Sequence, residues 1–291
     1  MMIDVHAHIG RIGRRRADTL SAEELLQKMD AWGIEKACVL PLHDCPEGWY
    51  LQSTTEDILG ACGRFPDRLI PFCLIDPRFG DNSPTTDFSD LLAEYKERGC
   101  RGIGEMVANL HFDDPRAMNL YRQAGKAGLP ILFDMMHQIG GTYGLVDDPG
   151  LPRLERALRE LPETIFIGHG PTFWAEISAS VPADLRGGYP KGPVKPGGAV
   201  PRLMANYPNL WADLSAGSGY NALNRDSAFG LEFLDRFQDK LLFGTDVLRH
   251  DQTEREVPIV GYFRWLRDEG RLPREAYEKI ARGNAVRLLK L

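Results

Sequence analysis

Residues 2–8 read Met2-Ile3-Asp4-Val5-His6-Ala7-His8, an apolar run broken at alternate positions by ionisable side chains. In an extended strand successive side chains point to opposite sides. His6 and His8 therefore face the same way, toward whatever interior the strand lines. Neutral imidazole is a common ligand for zinc and similar metals. Two imidazoles two residues apart on an apolar strand are hard to explain as packing alone.

Working outward, short apolar runs recur at Lys36–Leu42, Leu69–Asp76, Arg101–Met106 and Pro130–Asp134, then at Thr164–His169, Leu210–Leu214 and Lys240–Asp246. With Met2–His8 they make eight candidate strands. Several are nearly continuous apolar runs, as parallel strands covered on both faces should be. Helical patterns fall between them, at Ser21–Trp32, Thr54–Cys62, Phe88–Arg98, Pro115–Lys126 and Pro152–Leu161. Further patterns follow at Val200–Asn206, Phe229–Phe237, Pro258–Asp268 and Arg274–Leu289. Ser21 and Glu24 have capping-box spacing, and Gly33, Gly99 and Gly128 stand where C-cap glycines belong. Eight alternating units predict an α/β fold, a (β/α)₈ TIM barrel spanning residues 1–291 as one unit. A doubly wound open sheet is the alternative, weakened because no GxGxxG follows the first strand.

Pro171 to Gly198 breaks the rhythm. It is rich in Gly and Pro, with Gly-Gly-Tyr-Pro-Lys-Gly-Pro at 187–193. After the sixth strand of a barrel it would lie on the catalytic face, as a lid or substrate wall.

The 291 residues suffice for a large core without disulfide staples. The five cysteines are odd in number and form no CxxC pair, so neither a disulfide framework nor a zinc ribbon is expected. The net charge of -6 argues against nucleic acid as a partner. Arg14-Arg15-Arg16 is the one basic cluster, either a solvated loop or a rim attracting an anionic substrate. The first residues already read as a strand and no apolar run approaches membrane-spanning length. The expected location is cytoplasmic, and the expected partner is a small-molecule substrate.

The remaining signal is positional. Glu105 ends the fourth candidate strand, Asp134 the fifth, His169 the sixth and Asp246 the eighth; His137 follows Asp134 by three residues. Each alone could pair with a cation, cap a turn or sit satisfied in a core. Together they occupy the end of the strands where barrels place their active sites.

In these features the chain resembles the amidohydrolase superfamily, in particular its amidohydrolase-2 branch. The matching elements are His6-Ala-His8, Gly-Glu105, Gly-His169-Gly, Gly-Thr-Asp246 and the closing Arg282-Gly-Asn-Ala-Val-Arg-Leu-Leu289. The resemblance implies that His6, His8 and Asp246 bind the more buried metal and that Asp246 accepts a proton from the activated water. It implies that His169 binds a second metal or polarises the substrate, and that Glu105 bridges where two metals are present. The family's strand-5 histidine is missing in register: that position falls on Asp134, with His137 beyond, so both are candidates. The implied cofactor is one or two divalent ions, zinc first, with manganese or magnesium as alternatives.

The implied chemistry is attack of water, activated on the metal, at a lactone, ester or amide carbonyl. His111, Trp174, Tyr189, Lys191 and Arg249 are candidate substrate contacts from the loops. A metal-dependent non-oxidative decarboxylase is the second reading, and a barrel that binds without catalysis the third. Barrels of this kind often pair, so a homo-oligomer is compatible with the sequence.

Overall fold

The computed structural model describes residues 1–12, 18–42, 46–47 and 53–291. Arg14, Arg15, Arg16 and Cys45 lie outside these residues. Eight strands alternate with helices: β1 (Met2–Ala7), β2 (Ile34–Val39), β3 (Leu69–Pro71), β4 (Ile103–Met106), β5 (Ile131–Met136), β6 (Phe166–His169), β7 (Leu210–Asp213) and β8 (Leu241–Leu242). β1, β2 and β3 pair in parallel in that order, and β4 to β8 do the same in theirs.

Single bridges join the two runs at both seams, Cys73 to Ile103 and Ala7 to Val247. At the first seam the Cys73 N–H donates to Gly102 O at 3.0 Å and the Gly104 N–H to Cys73 O at 2.8 Å. At the second, the Val5 N–H donates to Phe243 O at 3.0 Å and the Asp246 N–H to His6 O at 2.7 Å. The ring closes as a TIM barrel. β3 is shorter than the run Leu69–Asp76 suggested. Pro71 has no N–H to extend the ladder, and beyond it Cys73 makes only its single bridge.

Local chemistry sets the helix ends. Ser21 and Glu24 form the expected capping box on Ala22–Trp32, which stops at Gly33 in the left-handed region at φ 74°. Asp114 caps Pro115–Ala127, with Pro115 in the first turn and Gly128 at φ 70° ending it. Cys38, Cys62, Cys73 and Cys100 are buried free thiols.

One apolar cluster unites Ile3, Val5, Cys38, Leu40, Ile70, Phe72, Leu132, Ile167, Trp211 and Leu242, from seven strands or the residues just after them. β4 and the residue before it contribute glycines instead. A Cβ on Gly102 would collide with the Phe72 ring, and one on Gly104 would stand 2.7 Å from Leu132 O. These side chains plug the barrel, as packing layers do in this fold. Two residues beyond Leu132, Ile167 and Trp211 come Asp134, His169 and Asp213, so the same side of each strand carries the next layer upward. That layer is polar.

Candidate metal centre

His6 and His8 are fully buried, with Nε2 atoms 3.0 Å apart. The outer nitrogen of each ring is committed. His8 Nδ1 lies 2.9 Å from Leu40 O, a carbonyl that can only accept, so this nitrogen carries hydrogen. His6 Nδ1 lies 2.7 Å from Asp213 Oδ2. Both Nε2 atoms then turn lone pairs toward each other, and so close an approach requires positive charge between them, a proton or a metal ion.

Anionic oxygens surround the pair. Glu105 Oε2 stands 3.5 Å from both Nε2 atoms, and Asp246 Oδ1 stands 3.6 Å from His6 and 3.3 Å from His8. The other Glu105 oxygen, Oε1, faces His169 Nε2 at 3.7 Å, and Asp134 Oδ2 lies 3.9 Å from the same nitrogen. Among the described residues three groups of potential ligands result: His6–His8–Glu105 and Glu105–Asp134–His169, with Glu105 common to both, and His6–His169–Asp213 behind them.

The electrostatics follow from burial and crowding. Burial alone would lower the His6 pKa, but the charges of Glu105 and Asp246 and the bond to Asp213 outweigh it, leaving the pKa well above the usual histidine range. Burial would raise the Glu105 pKa, but the charge of His6 and the bonds from His6 and His8 hold it well below the ordinary value. Asp134 goes the other way, driven well up by burial and then by the charge of Glu105. Its Oδ1 is buried without a hydrogen-bond partner. A Cβ on Gly144 would come 2.5 Å from that oxygen and one on Gly170 3.0 Å from Asp134 Cγ, so two glycines leave room for the carboxylate. An orphaned buried carboxylate oxygen beside inward imidazole lone pairs and a shared glutamate is a donor set that fits a divalent cation.

Sequence reasoning overlooked three supporting residues. Asp213 ends β7 and is fully buried beneath His6 and His169. Ser215 Oγ lies 3.2 Å from His6 Nδ1 and 3.1 Å from His169 Nδ1. Asp4 accepts from the Thr245 N–H at 2.9 Å and its hydroxyl at 2.6 Å, tying β1 to the residue before Asp246. Burial lifts the Asp4 pKa to about 7 against these bonds. The position of Asp213 at a strand end was the available signal.

Of the two strand-5 candidates, Asp134 joins the cluster. Among the described residues His137 enters none of the ligand groups. Its Nδ1 is buried without a partner, against Gly187, where a Cβ would collide with the ring. The loop candidates divide. Trp174 is buried under the site, its indole N–H donating to Asp213 O at 3.0 Å. Tyr189 is half exposed beside Gly217. Burial, then the charges of Asp246 and Asp134, raise the pKa of its phenol. His111 and Lys191 are exposed. Arg249 Nε donates to Asp251 at 2.9 Å.

The 171–198 segment is tied down. It begins with a short helix, Pro171–Ala175. Arg186 is buried and donates to Glu176 Oε1 at 2.8 Å and to Asp147 O at 3.3 Å. Asn221 Nδ2 donates to Pro190 O at 3.0 Å, and the Val194 N–H to Asp226 Oδ2 at 3.0 Å.

The chain belongs to the amidohydrolase family, whose sequence profile matches residues 51–291. No protein of curated function matches it by sequence. Solved structures share the fold over essentially the whole chain. A probable 2-pyrone-4,6-dicarboxylic acid hydrolase from Acinetobacter baumannii is 16% identical, with a TM-score of 0.58, covering 100% of this chain and 99% of its own. A 2,6-dihydroxybenzoate decarboxylase from Rhizobium is 15% identical, with a TM-score of 0.61 and coverage of 99% and 98%. An amidohydrolase from Burkholderia multivorans with bound zinc is 16% identical, with a TM-score of 0.61 and coverage of 100% and 99%. Among the described residues no helix is long and apolar enough to cross a membrane.

Proposed function

We propose that this chain is a metal-dependent hydrolase acting on a lactone, ester or amide carbonyl of a small molecule. His6, His8 and Asp246 would hold one divalent ion. Glu105, Asp134 and His169 would face a second. Zinc is the first choice, on the mixed imidazole and carboxylate donors and on the zinc held by the Burkholderia relative; manganese and magnesium also accept such carboxylates. A divalent ion bound there supplies Lewis acidity that brings the pKa of water from about 15.7 toward about 7.

The protein's own groups handle the proton and the substrate. Asp246 is the most open of the inward carboxylates, with its side chain 21% exposed. It takes the proton of the attacking water and returns it to the leaving group. His169, its Nδ1 held by Asp213 and its Nε2 turned inward, faces the carbonyl oxygen or joins the second ion. Tyr189, half exposed, is the loop side chain we would assign to substrate contact.

The observation that carries the reading is Glu105, which turns one oxygen to the His6–His8 pair and the other to His169. A bridging carboxylate serves hydrolysis, whereas decarboxylation has no need of one. The dihydroxybenzoate decarboxylase, on the same fold at a comparable TM-score, keeps the lyase as a second reading. Elemental analysis of the purified protein, then lactone, ester, amide and aromatic-acid substrates with the metal restored, tests both. Acid release that is lost in Asp246→Asn while metal stays bound supports the hydrolase. Release of carbon dioxide without acid release supports the lyase, and protein without affinity for any divalent ion defeats both.

A further inference from the structure

We propose that Asp213 is the positioning residue for both ligand subsites: one carboxylate oxygen fixes the ring orientation and tautomer of His6 and His169 together. The inference rests on the metal-binding reading above and assigns Asp213, whose oxygen meets the two rings on their Nδ1 side, a role behind the ligands.

Asp213 Oδ2 faces His6 Nδ1 at 2.7 Å and His169 Nδ1 at 3.0 Å, and it accepts the Ser215 hydroxyl at 2.5 Å. Oδ1 accepts the Ser215 N–H at 3.0 Å. A carboxylate only accepts, so each imidazole must place a hydrogen on Nδ1, and in the neutral, ligating form Nε2 is then the bare nitrogen. His6 belongs to the group shared with His8, His169 to the group shared with Asp134, and the two rings form a third group with Asp213, which meets them on their Nδ1 side. The two groups thus meet twice, in front through Glu105 and behind through Asp213.

The fold holds this carboxylate from three sides. Trp174, after β6, donates its indole N–H to the Asp213 carbonyl at 3.0 Å. Ser215, two residues past the end of β7, closes a turn on the carboxylate. Gly244, after β8, must be glycine there, because a Cβ would collide with Asp213 Oδ1. His8 is the built-in control, since its Nδ1 is held by Leu40 O and not by Asp213.

An amide at 213 can present an N–H to one of the two rings. That ring then carries its hydrogen on Nε2, where it blocks ligation. The test titrates zinc alone into wild type, Asp213→Asn and Ser215→Ala against a competing chelator. It also records the downfield imidazole N–H proton resonances of each zinc-loaded protein. Loss of an outer partner typically costs about 10- to 100-fold in metal affinity. That loss is expected for Asp213→Asn, a smaller one for Ser215→Ala. The His6 and His169 resonances should shift or vanish while that of His8 stays. Unchanged zinc affinity in Asp213→Asn, or resonances of all three rings moving together as in a general loosening, overturns the inference and leaves the metal reading standing. Failure of the wild type itself to bind zinc, manganese or cobalt overturns the metal reading, and this inference with it.

Discussion

His8 Nδ1 donates to the carbonyl oxygen of Leu40, 2.9 Å away in the residue that follows β2. A backbone carbonyl of the neighbouring strand therefore decides which nitrogen of His8 faces the centre. Because the partner is main chain, no side-chain substitution at position 40 can remove it. The imidazole itself can be removed. His8→Ala should weaken zinc binding by more than the roughly 10- to 100-fold cost of losing an outer partner. Chelator competition measures it, and an unaltered affinity would exclude His8 from the ligand set.

Arg186 and Glu176 form a buried pair that pins the 171–198 segment. Removing one member of such a pair leaves an uncompensated charge, at a cost of about 3–5 kcal/mol. Arg186→Met should therefore lower the urea midpoint sharply. The double change Arg186→Met with Glu176→Gln should recover most of the loss. A single variant as stable as wild type would show the pair to be solvated and irrelevant to anchoring.

Asp147 accepts N–H groups of Leu154 at 2.8 Å and Arg153 at 3.1 Å, at the start of the helix Pro152–Glu160. Burial nevertheless lifts its pKa to about 6. Its folded-state pKa lies above the unfolded value of about 3.9. The folded state therefore holds the proton more tightly, and this residue's contribution to stability falls as pH rises from about 4 to about 6. Asp147→Asn should abolish that share of the slope. The stability difference between wild type and variant should change across that window and level off above it; a constant difference would refute the assignment.

Two helical glycines should respond oppositely to alanine. Around Gly60, in the helix Thr55–Arg64, a Cβ meets nothing within 4 Å. Gly60→Ala should stabilise by about 0.5–1 kcal/mol through helix propensity. At Gly125 the same atom would collide with Thr164 Oγ1 and lie 3.2 Å from its Cα. Overpacking of about 1–3 kcal/mol then exceeds the propensity gain, and Gly125→Ala should destabilise. Thermal or urea unfolding decides the pair, and equal signs would contradict it.

The barrel was legible because its strands are buried on both faces and announce themselves as apolar runs. His6, His8, Glu105, Asp134, His169 and Asp246 stood out because each interrupts or closes an apolar run of the sequence, and the structure brings them together although β5 runs on past Asp134 and β8 stops at Leu242. The choice between Asp134 and His137 was not legible from ligand chemistry. It depended on strand register, which puts Asp134 beside His169 in the β5–β6 ladder. Asp213 escaped notice because nothing in an isolated Trp-Ala-Asp-Leu announces that two imidazoles will rest on it. The helix Ala216–Asn224 was missed because Gly217, Ser218 and Gly219 have poor helix propensity. Trp174 read as a substrate contact from its place in the loop, but its ring is buried and its N–H is committed to the backbone of β7.

Asp246 adopts φ 56°, in the left-handed region. Among residues with a side chain, asparagine, aspartate and histidine are enriched there, and β-branched residues are strongly disfavoured. The backbone at the mouth of β8 thus filters which side chains evolution or a designer can install. A longer glutamate would meet both the wrong reach and a less favoured conformation, so drift at this position has few routes open that keep a carboxylate in place. Functional divergence is then channelled away from β8 and toward the surrounding loops, whose side chains can change without asking the backbone for anything unusual.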